Sequence, residues 1–184
     1  MSMPWGERDV VRALEADLVA LAAADADLER DAEVAERTRI ERSRLALADR
    51  LRAAPGHVHV RARGGAEAHG PVLEVGDGCV VVGHLAPGRA APTEEHLLVL
   101  DAVLTVSGLG GAAPLREGAL PGRTPAAVLR AWCRDRSDVV LTLVDGTALR
   151  GRASAAYADH LEIVDAHGTT AVALASLAAA VRHA

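Results

Sequence analysis

The chain has 184 residues, with 20 basic and 25 acidic residues, and its formal net charge is −5. Every basic residue is Arg, and the chain contains no Lys, Phe, Asn or Gln. The acidic balance excludes the strongly basic class of general nucleic-acid binders. Two widely separated cysteines exclude both a disulfide framework and a cysteine zinc site. The length suits one or two small domains that each bury a real core.

The N-terminal segment, from Met1 to Asp31, carries acidic side chains throughout, unlike a signal peptide. The longest nearly apolar run, residues 171–181, is much shorter than the roughly 20 residues that a membrane-spanning helix needs. We therefore expect a cytoplasmic protein with reduced thiols and no membrane partner.

The N-terminal part of the chain has a helical composition. Residues 7–54 contain neither Gly nor Pro and are rich in strong helix formers, and Pro55-Gly56 ends the stretch. We predict a long helical region over residues 1–54, whose late part docks on the domain that follows. A heptad spacing within it predicts either a coiled coil or a face for a partner helix; the residues are Val11, Leu14, Leu18 and Leu21. The alternative is that the helix folds back over its own domain.

Beyond Pro55 the apolar residues occupy alternate positions, as in Val58 and Val60, which predicts half-buried strands. Gly64-Gly65 and Asp145-Gly146 predict tight hairpin turns. A mainly β protein with an N-terminal helical region is therefore expected, in four parts. These are the helical region 1–54, a first β-domain 55–106, a Gly/Pro linker 107–123 and a second β-domain 124–184 that begins with its own helix.

The two β-domains repeat each other. When Val58 is aligned with Val139, the same offset aligns Gly70 with Gly151. A glycine inside a strand commonly marks a sharp bend. The sequence therefore predicts two copies of a helix plus five short, strongly curved strands, each copy closed into a small barrel.

The second repeat carries the motifs Val139-x-Leu141-x-Leu143, Asp145-Gly146 and Leu149-Arg150-Gly151-Arg152. Together with the closing residues 173–177, they resemble the Sm-like fold, an SH3-like small barrel, and within it the bacterial host-factor RNA chaperones. The resemblance covers residues 126–183. It implies tandem Sm-like barrels, RNA as a ligand, and rings that form by pairing of open strand edges.

The whole chain also resembles an uncharacterised family of high-GC Gram-positive bacteria, some members of which are labelled Fis-type regulators. The sequence itself shows no helix-turn-helix pattern. It also departs from the RNA chaperones at the uridine pocket: they have a Lys-His pair where this chain reads Val172-Ala173-Leu174-Ala175. The only Tyr is Tyr157, so aromatic stacking is depleted along with charge. The pore RNA site of that family is therefore not expected here.

Candidate nucleic-acid contacts come from arginines in the late helix and the first strand. They are Arg37, Arg39, Arg42, Arg44, Arg61 and Arg63. In this interpretation they neutralise phosphates. The alternative is a solvated helix and strand surface with pairs such as Glu33–Arg37.

Catalytic and metal motifs are missing from the sequence. It has no nucleophile elbow, P-loop, metalloprotease motif or CxxC pair, so we predict neither an enzyme nor a cofactor. His57 and His59 form a His-x-His pair, but without a third ligand nearby the pair does not predict a metal site.

Two functions are consistent with these observations. The first is a non-enzymatic, Sm-like, RNA-binding post-transcriptional regulator. The second is a protein-interaction or assembly module that binds no nucleic acid. In either case a homo-oligomer is expected, formed through the N-terminal helix or the barrel edges.

Overall fold

A computed structural model describes residues 12, 15, 29–30, 32–40, 43, 45–86, 88, 92–110 and 122–183. The chain divides into two compact units, Met1–Leu45 and Ala46–Ala184. In the first unit, residues 32–40 are helical and largely exposed. None of the helices among the described residues has the length and apolar character required to cross a membrane.

The described part of the second unit contains two α-helices, ten β-strands and three short 3₁₀ turns. The helices are α1 (Leu47–Arg52) and α2 (Pro125–Arg134), and the 3₁₀ turns are Arg63–Gly65, Leu100–Ala102 and Leu174–Ser176. The strands are β1 (His57–Ala62), β2 (Glu67–Val75), β3 (Cys79–His84), β4 (Glu94–Val99), β5 (Val103–Ser107), β6 (Asp138–Leu143), β7 (Ala148–Ala156), β8 (His160–Asp165), β9 (Gly168–Ala173) and β10 (Leu177–His183).

The ten strands form a single antiparallel sheet in the order β5-β1-β2-β3-β4-β10-β6-β7-β8-β9. Strand β10 pairs with β6 on one side and with β4 on the other. The prediction of two small closed barrels is therefore wrong, because the sheet is open and continues across both halves of the unit. Alternation and turn residues determine where strands form, whereas the choice of edge partner depends on contacts between distant parts of the chain.

The prediction of one long helical region ahead of the strands is also wrong. Leu45 and Ala46 are not helical, and the short helix α1 belongs to the sheet unit. Ala46 has an extended backbone, with φ −74° and ψ 156°, and its N–H donates to the Asp49 carboxylate at 3.3 Å. Helix-forming composition does not require continuity, and an extended N-cap residue starts a new helix.

The predicted repeat of a helix and five strands is confirmed. Strands β1, β2 and β3 begin at a constant sequence offset from β6, β7 and β8. Strands β4 and β5 begin at a smaller offset from β9 and β10, because the loop between β3 and β4 is longer than its counterpart. Strand β4 is thus equivalent to β9, and β5 is equivalent to β10.

Two buried clusters form the core of this unit. One contains Leu51, Val58, Val60, Val80, Val82, Leu98 and Ala179, and the other contains Trp132, Leu141, Ile163, Cys79, Val81 and Leu97 among others. Strands β3 and β4 thus give alternate residues to the two clusters. Their apolar runs, Val80-Val81-Val82 and Leu97-Leu98, are typical of strands buried on both faces. Burial on both faces explains why the sheet continues past β4.

We call the β4–β10 pairing the seam. It runs from Leu98 opposite Ala179 to Glu94 opposite His183. Arg182 donates to both carboxylate oxygens of Glu95 at 3.1 Å and to Asp135 at 2.9 Å. Its guanidinium lies 5.3 Å from the centre of the Trp132 ring. A bidentate ion pair and a cation–π contact therefore fix the register of the two halves.

Candidate interaction surfaces

The two edges of the sheet are the most distinctive surfaces of the unit. Among the described residues, β5 pairs only with β1, and β9 pairs only with β8. An unpaired edge presents backbone N–H and C=O groups that can bind another strand. Natural edges are usually protected by charged residues or Pro. Neither β5 (VLTVS) nor β9 (GTTAVA) contains either, so both edges are open to pairing.

The exposure of these strands supports that conclusion. Leu104, the second residue of β5, is 61% exposed, which is high for a large apolar side chain. In β9, every residue except Val172 is exposed. The two edges are also the repeat equivalents of β10 and β4, the strands that pair at the seam. The described part of the unit therefore contains one junction between such strands and leaves a second matching pair of edges unpaired.

Two of the predicted nucleic-acid arginines lie in the first unit and are paired with carboxylates. Arg37 donates to Glu33 at 2.7 Å, and Arg39 donates to Glu36 at 2.6 Å. The other two arginines of the late helix and the whole predicted partner-helix stripe lie outside the described residues. These are Arg42 and Arg44, and Val11, Leu14, Leu18 and Leu21.

The other two predicted arginines lie in the sheet unit and have different surroundings. Arg61 is exposed on β1 and donates to Glu67 on β2 at 2.8 Å. Arg63 lies in the turn after β1 and lines a cavity of about 210 Å³ together with Asp101 and Leu174. Of the six arginines predicted to contact nucleic acid, the structure describes four. Three of these four are hydrogen-bonded to a carboxylate, so a phosphate would have to compete with that carboxylate for them.

Two arginines that were not predicted as sites are better placed for a phosphate. Arg150 and Arg152 alternate on β7, both are exposed, and neither has a partner within the described residues. Arg150 borders a groove of about 310 Å³ that is also lined by Asp138, Val140 and His183. In the sequence, only the alternating pattern Arg150-Gly151-Arg152 could have pointed to these two arginines. The same alternation is found on any solvated strand face, so it does not predict a phosphate site by itself.

Histidines form two clusters on the sheet. In the first, the His69 ring on β2 lies 5.7 Å from the His57 ring and 6.2 Å from the His59 ring, measured between ring centres. Glu67 lies beside them, with its Oε2 3.5 Å from Nε2 of His59. The sequence had identified only the His-x-His pair on β1; strand pairing supplies the third imidazole.

The second cluster surrounds Glu94 at the end of the seam. The Glu94 carboxylate lies 3.3 Å from Nε2 of His96 and 3.2 Å from Nδ1 of His183. His84 is directly opposite Glu94 on β3. Burial lowers the pKa of His96 below its usual range, despite the opposing effect of Glu94; His84 and His183 lower it further.

The two cysteines do not have the surroundings of reactive thiols. Cys79 is fully buried, its Sγ donates to the Arg123 carbonyl at 3.5 Å, and burial raises its pKa to about 11. Burial also raises the pKa of Cys133. Nucleophilic cysteines have lowered pKa values, so both cysteines have the properties of core residues.

No group of three or more His, Cys, Asp and Glu side chains in the described part of the chain is arranged, as it stands, to hold a metal ion. Comparison with protein-family models, with curated proteins and with solved structures finds no match to the chain. The functional argument therefore depends on the surfaces described above.

Proposed function

We propose that the chain is a non-enzymatic assembly module of the cytoplasm, which associates with further copies of itself through β5 and β9. The observation that carries this proposal is the seam: the equivalents of these two strands already pair within one chain. The β5 and β9 edges both lack charged residues, so β9 of one chain can pair with β5 of another. We expect that pairing to be antiparallel, as it is between β4 and β10 at the seam.

The repeat predicts the register of this contact. At the seam, Leu97 lies opposite Ala180 and Leu98 lies opposite Ala179. The same sequence offset relates β4 to β9 and β5 to β10. Applied to the seam, it places Ala171 of one chain opposite Val106 of a second copy, and Val172 opposite Thr105. Each chain would offer β9 to one neighbour and β5 to another, so association would continue until a ring closes.

Disulfide crosslinking tests this register. In the double variant V106C/A171C, oxidation should link separate chains into a ladder of multimers, because directly opposite residues lie within disulfide range. The matched control L104C/A171C moves one cysteine two positions along β5, out of the proposed register, and should crosslink far less. Equal crosslinking of the two variants would contradict the proposed register.

Sedimentation velocity tests association without any crosslink. The chain should sediment as a multimer, and Thr170→Lys should shift it towards the monomer by placing a charge on the β9 edge. Ser154→Lys places the same charge on β7, which is paired on both sides, and should leave the multimer intact. A wild-type chain that remains monomeric at about 100 μM, far above the micromolar range of ordinary associations, would overturn the proposal.

RNA binding is the second candidate, and the partner-free Arg150 and Arg152 are the observation that favours it. It predicts that ultraviolet crosslinking in cells recovers RNA with a tagged copy, and that in vitro binding weakens steeply with salt. R150A/R152A should then lose most of the binding, and R37A/R39A should lose less. A monomer that binds RNA in this way would replace the assembly module as the function, whereas recovery no greater than with the tag alone would remove RNA from consideration.

A further inference from the structure

Strands β1 and β2 bring three imidazoles together on one exposed face of the sheet. His57 and His59 occupy alternate positions on β1 and therefore point to the same side. His69 is directly opposite His59 in the β1–β2 register. Its ring centre lies 5.7 Å from that of His57 and 6.2 Å from that of His59.

This spacing is close to what a shared metal ion requires. Imidazole nitrogens bind Zn²⁺ at about 2.0–2.1 Å, so the centres of two rings on one tetrahedral ion lie about 5 Å apart. The rings would have to rotate to converge, because their present orientations are stacked and edge-on. His57 and His69 are exposed and the His59 side chain is 42% exposed, so the core does not oppose this rotation.

The surroundings supply an orienting group as well. Glu67 lies with its Oε2 3.5 Å from Nε2 of His59, and Arg61 holds Glu67 from the other side at 2.8 Å. A carboxylate on one imidazole nitrogen commonly orients the ring so that its other nitrogen binds the metal. Nδ1 of His59 would then be the ligating atom.

We propose that His57, His59 and His69 bind a divalent transition-metal ion of the Zn²⁺, Ni²⁺ or Cu²⁺ class. Three imidazoles are a sufficient protein ligand set for such ions and leave a coordination position open for water or for a ligand from another molecule. The site uses neither the free edge of β5 nor that of β9, so it is independent of whether the chain assembles.

Metal titration of the full-length, tag-free chain tests this proposal. Co²⁺ serves as the spectroscopic probe, and Zn²⁺ is measured by competition with a chromophoric chelator. We expect one ion per chain and a visible Co²⁺ absorption band that Zn²⁺ displaces.

Substitutions identify the ligands. His69→Ala and His57→Ala should each weaken Zn²⁺ binding by at least about 10-fold, since even an outer-shell partner contributes about 10- to 100-fold. His167→Ala is the matched control; it removes an exposed histidine from the turn between β8 and β9 and should leave the affinity unchanged. Far-ultraviolet circular dichroism checks that each variant is folded.

Two results would overturn the proposal. One is a wild-type chain that binds no Zn²⁺ or Co²⁺ at about 100 μM, well above the concentrations at which dedicated sites fill. The other is a folded His69→Ala variant with wild-type affinity, which would place the ion elsewhere.

Discussion

At the scale of single residues, Gly64 shows how closely the two halves of the sheet unit approach. It lies in the turn after β1 with φ +71°, a conformation that favours glycine. A Cβ atom at this position would overlap the carbonyl oxygen of Leu143 in the second half. The neighbouring Gly65 has a similar φ of +77°, but a Cβ there would meet nothing within 4 Å. Comparing substitutions at Gly64 and Gly65 therefore distinguishes the cost of backbone strain from the cost of a close contact.

We predict that Gly65→Ala lowers the free energy of unfolding by about 1–2 kcal/mol, the cost of a left-handed backbone with a side chain. Gly64→Ala should cost about 1–3 kcal/mol more, because its methyl group is forced against backbone. Chemical denaturation of both variants measures the difference. Equal losses would show that the contact with Leu143 does not constrain the turn.

At the scale of elements, the seam depends on a few side chains as well as on its backbone ladder. The Arg182 side chain is only 20% exposed, and that of its partner Glu95 is 23% exposed. Removing one member of such a pair leaves the other poorly solvated and uncompensated. Arg61 and Glu67, whose side chains are 61% and 51% exposed, form the same kind of pair in solvent.

Arg182→Met should therefore lower the free energy of unfolding by about 2–4 kcal/mol, from the unpaired Glu95 and the lost contact with Trp132. Arg61→Met, the matched control, should cost less than about 1 kcal/mol, as exposed ion pairs do. Urea unfolding compares the two. A small effect of Arg182→Met would mean that the backbone ladder and apolar contacts alone maintain the seam.

The seam should also respond to pH through His96. Because burial lowers its pKa, the fold favours the neutral ring, and the unfolded chain binds the proton more readily. The stability from His96 is fully present above the unfolded value of about 6.5 and is lost as the pH falls through the lower folded value. His84, Glu94 and His183 face the same cluster; the two histidines favour the neutral form of His96, and Glu94 opposes them.

We predict that His96→Gln reduces the loss of unfolding free energy between about pH 7.5 and about pH 5, because the glutamine side chain does not titrate in this range. His167→Gln removes an exposed histidine away from the seam and should keep the wild-type pH dependence. Urea unfolding at the two pH values gives the comparison. Identical pH dependence in the wild type and His96→Gln would rule out His96 as a titrating group of the seam.

At the scale of the whole sheet unit, the shared core couples the two halves. Cys79, Val81 and Leu97 come from strands of the first half but lie in the cluster that surrounds Trp132. Destabilising one half therefore removes contacts from the other. We expect the unit Ala46–Ala184 to unfold in one cooperative transition, although its sequence repeats.

Leu97→Ala should lower the free energy of unfolding by about 2–5 kcal/mol, because it leaves a cavity at a fully buried position. Amide hydrogen exchange should show the same decrease in the free energy of opening for β1 and β2 as for β7 and β8. Different free energies of opening for the two halves, in the wild type or in the variant, would contradict a single cooperative unit.

The sequence by itself determined the local structure of the β region. The alternation at Val58 and Val60, the turn glycines and the internal repeat predicted a helix and five strands in each half, because each strand and turn signal involves residues close together in the chain. Only the tertiary structure decided that β10 pairs with β4, that the sheet stays open, and that Arg61 pairs with Glu67. It also decided that His69 joins His57 and His59. Edge pairing and clusters across strands depend on residues that are far apart in sequence, and a local pattern does not specify which distant strand buries a given face.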